Sequence, residues 1–216
     1  MSARARIDHL VVTSPNLKSG VQWVRDALGV TPQLGGKHER MGTHNCLLRL
    51  GDSTYLEVIS PDPNASAPGR ARWFDMDNPD AARQVRLATW VVRTDNISSA
   101  VKSSTEAPDA VESMSRGDLN WLITVTEDGG LRLGGLAPAL IQWQSSLHPA
   151  QALRDAGCSL VELQLHTPEP ARLERLLRAI DLDMQHVTIV ELAPQQVPHL
   201  SATIQGPLGI KTLTTV

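Results

Sequence analysis

Short apolar runs alternate with polar turns along this chain, and their order predicts one kind of structural unit. Residues 7–13 are rich in branched apolar side chains and predict a β-strand. Apolar residues then recur at helical spacing over residues 17–28, and Gly29 is expected to end that helix. The Gly35-Gly36 pair is expected to form a turn between the strands that follow. These strands are predicted at residues 30–33, 45–50 and 54–60.

The same strand–helix–three-strand order returns twice. A strand at residues 87–92 opens the second copy and a strand at residues 159–165 opens the third, each followed by a capping hydroxyl and a helix. We therefore predict an α+β fold of three βαβββ modules, the third less typical than the others. The modules are residues 1–62, 87–146 and 159–216, and the linkers are residues 63–86 and 147–158.

The three copies can be aligned on the hydroxyl that caps each helix. The capping residues are predicted to be Ser14, Thr94 and Thr167. The positions five residues earlier, on the first strand of each copy, are therefore equivalent: His9, Thr89 and Glu162. On the last strand of each copy, the equivalent positions are predicted to be Glu57, Gln142 and Thr212.

His9 and Glu57 are polar side chains in apolar strands, where a charge is costly unless something pairs with it. Strand alternation places Leu10 and Val12 against the helix and His9 on the other face. If the first and last strands of the module are neighbours, His9 and Glu57 converge. An imidazole and a carboxylate suit zinc, iron, manganese or nickel. A buried hydrogen bond that satisfies both groups is the alternative.

Composition excludes several functional classes. The chain of 216 residues has a net charge of -3, which does not suit a nucleic-acid binder. No apolar run approaches the roughly 20 residues of a membrane span. The short polar segment before the first strand does not resemble a secretory signal, and two cysteines do not make a disulfide framework. We expect a reduced, cytoplasmic protein with no nucleic-acid or membrane partner.

Sequence motifs identify a family resemblance over most of the first 150 residues. They are Ile7-Asp8-His9-Leu10-Val11, Met41-Gly42-Thr43-His44-Asn45, the segment 55–63 (YLEVISPDP), Leu87-Ala88-Thr89-Trp90, Met114-Ser115-Arg116, Leu140-Ile141-Gln142-Trp143 and His148-Pro149-Ala150. With the repeated unit, these motifs resemble the vicinal oxygen chelate superfamily, and within it the glyoxalase-like domain proteins. The resemblance implies that two modules form a curved mixed sheet around a cup. It also implies a metal held from the first and last strands of both modules and chelated by two neighbouring substrate oxygens.

The resemblance assigns candidate metal ligands by position. They are His9 and Glu57 from the first module and Gln142 from the second, because Thr89 departs from the pattern at a position where a stronger ligand is usual. If the third module closes the cup instead, Glu162 becomes a ligand. A single histidine disfavours a non-haem iron dioxygenase, which needs two.

Further side chains are expected around the cup. His44 is a candidate acid–base group and Asn45 a donor to a substrate oxygen. Arg116 could hold a substrate carboxylate through its paired donors. Trp73 is expected to cover the pocket and His148 to lie at its rim.

Three functional hypotheses follow. The first is a metal-dependent enzyme of the isomerase or lyase type that acts on a small oxygen-rich metabolite, with Glu57 as ligand or base. The second is a metal-free protein that binds a small molecule in the same cup. The third is a purely structural role, which applies if the inner face is filled by its own side chains. An unpaired third module would expose an apolar face, so a homodimer is also expected.

Overall fold

The computed structural model describes residues 5–104 and 110–215, which form three units with the element order βαβββ. The first unit consists of β1 (Arg6–Thr13), α1 (Leu17–Leu28), β2 (Gln33–His38), β3 (Thr43–Arg49) and β4 (Tyr55–Pro61). The second unit consists of β5 (Arg86–Arg93), α2 (Ile97–Ser103), β6 (Ala110–Arg116), β7 (Leu119–Val125) and β8 (Ala139–Trp143). After the short helix α3 (Pro149–Ala152), the third unit consists of β9 (Ser159–Thr167), α4 (Pro170–Ala179), β10 (Val187–Glu191), β11 (His199–Gly206) and β12 (Gly209–Thr214). The exact module boundaries stay a prediction.

Helix α1 shows how local sequence sets an element. Its N-cap is Asn16, whose side chain accepts a hydrogen bond from the Ser19 backbone N–H at 2.9 Å. The predicted cap, Ser14, instead donates to the Asn16 carbonyl. Gly29 ends the helix in the left-handed region at φ 73°. The asparagine, two residues further on, was the better cap because its amide oxygen reaches the first turn.

The first two units form one mixed sheet of eight strands in the order β2-β3-β4-β1-β5-β8-β7-β6. Strands β1 and β5 run antiparallel at its centre, and each is flanked by a parallel partner, β4 or β8. The sheet therefore has approximate twofold symmetry about the β1–β5 pair. It curls around a cup, which confirms the predicted α+β fold of curved mixed sheets.

The third unit lies on the outer face of this sheet, opposite the cup. Its four strands, in the order β10-β9-β11-β12, bury Leu163 and Leu200 in the same apolar core as Leu10 and Trp90. Leu10 alternates with His9 along β1, so this core is on the face away from His9. The third unit therefore does not close the cup. Its apolar face is covered within the chain, which removes the reason for expecting a homodimer.

The linker between the first two units enters the cup. Trp73, Phe74 and Met76 are buried there in a core that includes Val11 and Val91 from the central strands. Phe74 and the residue after it have φ angles of 59° and 61°, a region that side chains other than glycine rarely adopt. The inner face of the sheet is thus largely filled. Within the described residues, no helix is long and apolar enough to span a bilayer.

Candidate functional site

A narrow cavity remains between the linker and the inner face of the sheet. Its polar lining comes mainly from the first unit, which contributes His9, His38, Asn45 and Glu57, while the second unit contributes Arg116. The cavity is small, with a volume of about 30 Å³. A groove of about 610 Å³ between the edge strands β2 and β6 shares His38 and Arg116 with this cavity. A ligand that reaches the cavity from the groove therefore passes these two side chains.

Aromatic side chains are rare in the chain and concentrated around the cavity. The sequence contains five tryptophans, one tyrosine and one phenylalanine. Five of these residues line the cavity: Tyr55, Trp73, Phe74, Trp121 and Trp143. Aromatic walls with a few convergent polar groups are typical of small-molecule sites.

His9 is held on two sides. Its Nδ1 lies 2.6 Å from Asp8 Oδ1, and its ring stacks on Tyr55 with centroids 4.6 Å apart. Burial alone would raise the pKa of Asp8, but hydrogen bonds from His148 and His9 outweigh it and hold that pKa well below its usual value. Because Asp8 is ionised and can only accept, Nδ1 of His9 carries the proton.

Glu57 is fixed by an amide from the neighbouring strand. Asn45 Nδ2 donates to Glu57 Oε1 at 2.5 Å, and Asn45 Oδ1 accepts from the Gly36 backbone N–H at 2.8 Å. A Cβ on Gly35 would lie 2.0 Å from Asn45 Oδ1. The Gly35-Gly36 pair is thus part of strand β2, not the predicted turn, and its missing side chains make room for this network.

Arg116 lies at the end of β6 and extends into the cavity across the groove between the edge strands β2 and β6. Its Nη1 donates to Asn45 Oδ1 and to His38 Nε2, each at 3.2 Å. Burial, together with the nearby Arg116, lowers the pKa of His38 to about 4 against the attraction of Glu57. His38 is therefore neutral at pH 7. Among residues 5–104 and 110–215, no carboxylate lies within ion-pair distance of Arg116.

The space between His9 and Glu57 favours a positively charged group. His9 Nε2 lies 3.6 Å from Glu57 Oε2, and with the His9 proton on Nδ1 both atoms present lone pairs. A proton or a metal cation between them resolves that repulsion. As donors the two fit part of a divalent-metal site, and the carboxylate behind His9 is usual for a metal-bound histidine. Among the described residues, however, no three His, Cys, Asp or Glu side chains are arranged so that together they could hold a metal ion.

The comparisons with known proteins identify the family. The family model described as a glyoxalase-like domain matches residues 7–180, which is most of the chain. The chain belongs to this family. The match confirms the resemblance to the glyoxalase-like domain proteins that the sequence motifs indicated.

Solved structures similar to this glyoxalase-like chain share little sequence with it. A methylmalonyl-CoA epimerase solved with methylmalonyl-CoA and ammonium has 17% identity and a TM-score of 0.42, covering 68% of this chain and 100% of its own. A variant of the Streptomyces coelicolor epimerase, solved with 2-nitronate-propionyl-CoA, has 16% identity and a TM-score of 0.42 at 66% and 100% coverage. The Mycobacterium tuberculosis epimerase has 12% identity and a TM-score of 0.40 at 63% and 85% coverage. No curated protein matches the chain.

The second unit of this glyoxalase-like chain lacks the polar pair of the first. Val11 pairs with Glu57, and its counterpart Val91 pairs with Ala139. Ala139 is therefore the equivalent of Glu57. The predicted equivalent, Gln142, is wrong by three positions. Its side chain points to the outer face and accepts a hydrogen bond from the Ile97 backbone N–H at 2.9 Å.

Two other candidates lie away from the cavity. Glu162 is on the third unit, where it accepts hydrogen bonds from Gln164 and Thr188, so it cannot join His9 as a ligand. His44 alternates with Asn45 along β3 and is not among the cavity residues, which corrects the expectation that both point inward. Two further candidates lie near the cavity, and their roles stay predictions. Trp73 lines the cavity, and His148 packs against Trp143 outside that lining, with Nε2 2.9 Å from Asp8 Oδ2.

Asp8, His38 and Tyr55 belong to the site although the sequence pattern did not select them. Regular strand alternation would place Asp8 on the face opposite His9, and a bulge in β1 overrides that rule. His38 lacked any paired spacing. Tyr55 lies two residues before Glu57 on the same face of β4, and that periodicity could have identified it.

Proposed function

We propose that this glyoxalase-like protein binds a small oxygen-rich metabolite bearing a carboxylate, and that Glu57 and His9 move a proton on it. The observation that carries this proposal is the convergence of Arg116, Glu57 and His9 on one aromatic-walled cavity. The reaction is of the isomerase or lyase type. The substrate is the small-molecule partner that the sequence predicted.

Arg116 supports recognition of a carboxylate. Its contacts with His38 and Asn45 are to neutral acceptors, so its positive charge is not neutralised by a described carboxylate. The guanidinium still has donors for a planar anion, which it can hold through two parallel hydrogen bonds. The groove along β2 and β6 brings a ligand to this group.

Glu57 is suited to act as the base. Asn45 occupies Oε1, which leaves Oε2 to take a proton from the carbon beside a substrate carbonyl. The electron pair of that C–H bond forms a carbon–carbon double bond, and the carbonyl electrons move to oxygen. Where the deprotonated carbon carries a hydroxyl, the former carbonyl carbon takes the proton back from Glu57, and the hydroxyl proton passes by way of His9 Nε2 to the oxygen of that carbon. The carbonyl and the hydroxyl have then changed places, which is an isomerisation.

In the alternative in which Glu57 is a metal ligand instead of the base, a divalent metal (zinc, nickel, manganese or iron) would be held by His9 and Glu57, with waters as further ligands. Such an ion would supply Lewis-acid polarisation of the substrate oxygens. Elemental mass spectrometry of protein purified without chelators tests this part. Near-stoichiometric metal lost in both His9→Ala and Glu57→Ala supports it, while the absence of metal from the parent protein contradicts it.

A metal-free binding protein is the second candidate. It is favoured by the second unit, where Thr89 and Ala139 stand at the positions equivalent to His9 and Glu57 and supply no metal ligand. In that case the same side chains hold a ligand without transforming it.

Proton exchange in D₂O separates the two candidates. The protein is incubated with a panel of small hydroxy- and keto-carboxylates, and loss of the C–H signal beside the carbonyl is followed by NMR. We expect exchange with at least one member, its loss in Glu57→Gln, and its retention in the matched control His44→Gln. Saturable ligand binding without exchange would support the binding protein. Neither binding nor exchange would contradict both.

Cytoplasmic location and a homodimer stay predictions. The oligomeric state is measured by light scattering coupled to gel filtration. A monomer is compatible with the proposed site because all of its residues come from one chain.

A further inference from the structure

Asp8 sits at an irregular point in the central strand pair. Along β1 and β5, Ile7 pairs with Val92 and His9 pairs with Val91, so Asp8 is the extra residue of a β-bulge. Regular alternation would place the side chains of neighbouring residues on opposite faces. The bulge instead lets Asp8 contact the ring of His9, the next residue along the chain.

The Asp8 carboxylate is fully buried and accepts three hydrogen bonds. Oδ1 lies 2.6 Å from His9 Nδ1, while Oδ2 accepts from Trp143 Nε1 at 2.8 Å and lies 2.9 Å from His148 Nε2. His148 Nδ1 accepts from the Ala150 backbone N–H, so Nε2 is the protonated nitrogen and donates to Asp8.

These contacts join three parts of the chain at one carboxylate. Trp143 ends β8 of the second unit, and His148 comes from the second linker. Both approach the same oxygen, so the other oxygen is left for His9. The carboxylate is thus oriented from outside the first unit.

We propose that Asp8 is the positioning residue for His9: it fixes the His9 tautomer with the proton on Nδ1 and aims Nε2 at Glu57. The consequence for catalysis rests on the proposed function, but the tautomer itself does not. Tyr55 fixes the plane of the ring by stacking, and Asp8 determines which nitrogen faces the cavity.

Substitution Asp8→Asn tests this role because it preserves shape. Trp143 can only donate, so the amide oxygen of the new side chain must take the Oδ2 position. The amide nitrogen then faces His9 Nδ1 and donates to it, which requires the proton of His9 to move to Nε2. In ¹⁵N-histidine spectra of the neutral ring, we expect the protonated nitrogen of His9 to be Nδ1 in the parent protein and Nε2 in Asp8→Asn.

Two variants serve as controls. Asp62→Asn changes another buried aspartate, which contacts Lys37 and not His9, and should leave the His9 tautomer unchanged. Trp143→Phe removes one donor to Asp8 but retains the carboxylate, so Nδ1 of His9 should stay protonated. A bare Nδ1 in the parent protein, or the same tautomer in a folded Asp8→Asn variant, would overturn the proposal.

The proton-exchange assay distinguishes this proposal from the proposed function. Where a substrate exchanges, Asp8→Asn should slow exchange roughly 100-fold or more, as expected when an oriented histidine adopts the wrong tautomer. If no substrate exchanges but the tautomer switches as predicted, the proposed function fails and the positioning role stands.

Discussion

The first and second units share their topology but differ in what they place on the inner face of the sheet. The first carries His9, Asn45 and Glu57, whereas the counterparts in the second are Thr89, Ile123 and Ala139. The second unit contributes through other positions, with Arg116 and Trp121 at its far strands. The first unit therefore provides the polar groups proposed for proton transfer. The second unit provides part of the aromatic cavity wall and the positive charge of Arg116. The lesson is that a repeated fold does not imply a repeated site.

Exchanging residues between the halves is the most severe test of this difference. Ile123→Asn places an amide in the apolar core of the second unit, and Asn45→Ile removes the partner of Glu57 in the first. We expect each to lower the free energy of unfolding by about 3 kcal/mol, because each leaves buried polar groups without partners. Urea denaturation measures this. If either exchange is tolerated, the halves are interchangeable and the comparison fails.

The pH dependence of stability should also come from the first unit. His38 has a folded-state pKa of about 4 against an ordinary value of 6.5. Between these values the unfolded chain binds a proton that the folded chain does not. The contribution of His38 is therefore present at pH 7 and falls as the pH drops from about 6.5 to 4, by up to about 3 kcal/mol.

His38→Gln should flatten this part of the stability profile, measured by urea denaturation at several pH values. His44→Gln, on the opposite face of the same unit, is the matched control and should keep the parent slope. Equal slopes in His38→Gln and the parent protein would show that His38 does not carry the effect.

The Gly35-Gly36 pair offers a test for which the expected loss of stability is intermediate. Gly35→Ala would force a Cβ to within 2.0 Å of Asn45 Oδ1, so β2 or Asn45 must move. We expect a loss of about 2 kcal/mol in unfolding free energy, a typical cost of overpacking. Gly206→Ala, a strand glycine of the third unit with ordinary contact distances of 3.4 Å and more, is the control and should change stability little. Similar losses in both would point to a general effect of glycine replacement.

The smallest effect is expected at Gln142. Its side chain caps the backbone N–H of Ile97 at the start of α2, so Gln142→Ala should cost about 1 kcal/mol. Metal content and proton exchange should not change, because the side chain lies outside the cup. A change in either without a loss of stability would restore Gln142 as a site residue.

The sequence predicted more of the fold than of the site. Strand and helix periodicity located β1, α1 and β4, and the alternation along β1 correctly placed His9 in the cup. Asn45 and Arg116 also reach the cavity. Their roles there remain proposals.

The errors have identifiable physical causes. The bulge at Asp8 breaks strand alternation and is determined by pairing with β5, which a local pattern does not contain. Gln142 was aligned through strand order alone, whereas the register between β5 and β8 selects Ala139. Glu162 was excluded by the packing of the third unit, which depends on which apolar faces meet in three dimensions.

The position of the third unit also bears on how the protein can be divided. Leu10 and Trp90, at the centre of the large sheet, are shielded from water partly by Leu163 and Leu200 of that unit. A chain shortened to the two cup-forming units would expose this apolar surface, and exposed surface of that kind promotes aggregation. The smallest fragment suitable for biochemical work therefore includes the third unit, because that unit covers the apolar outer face of the large sheet.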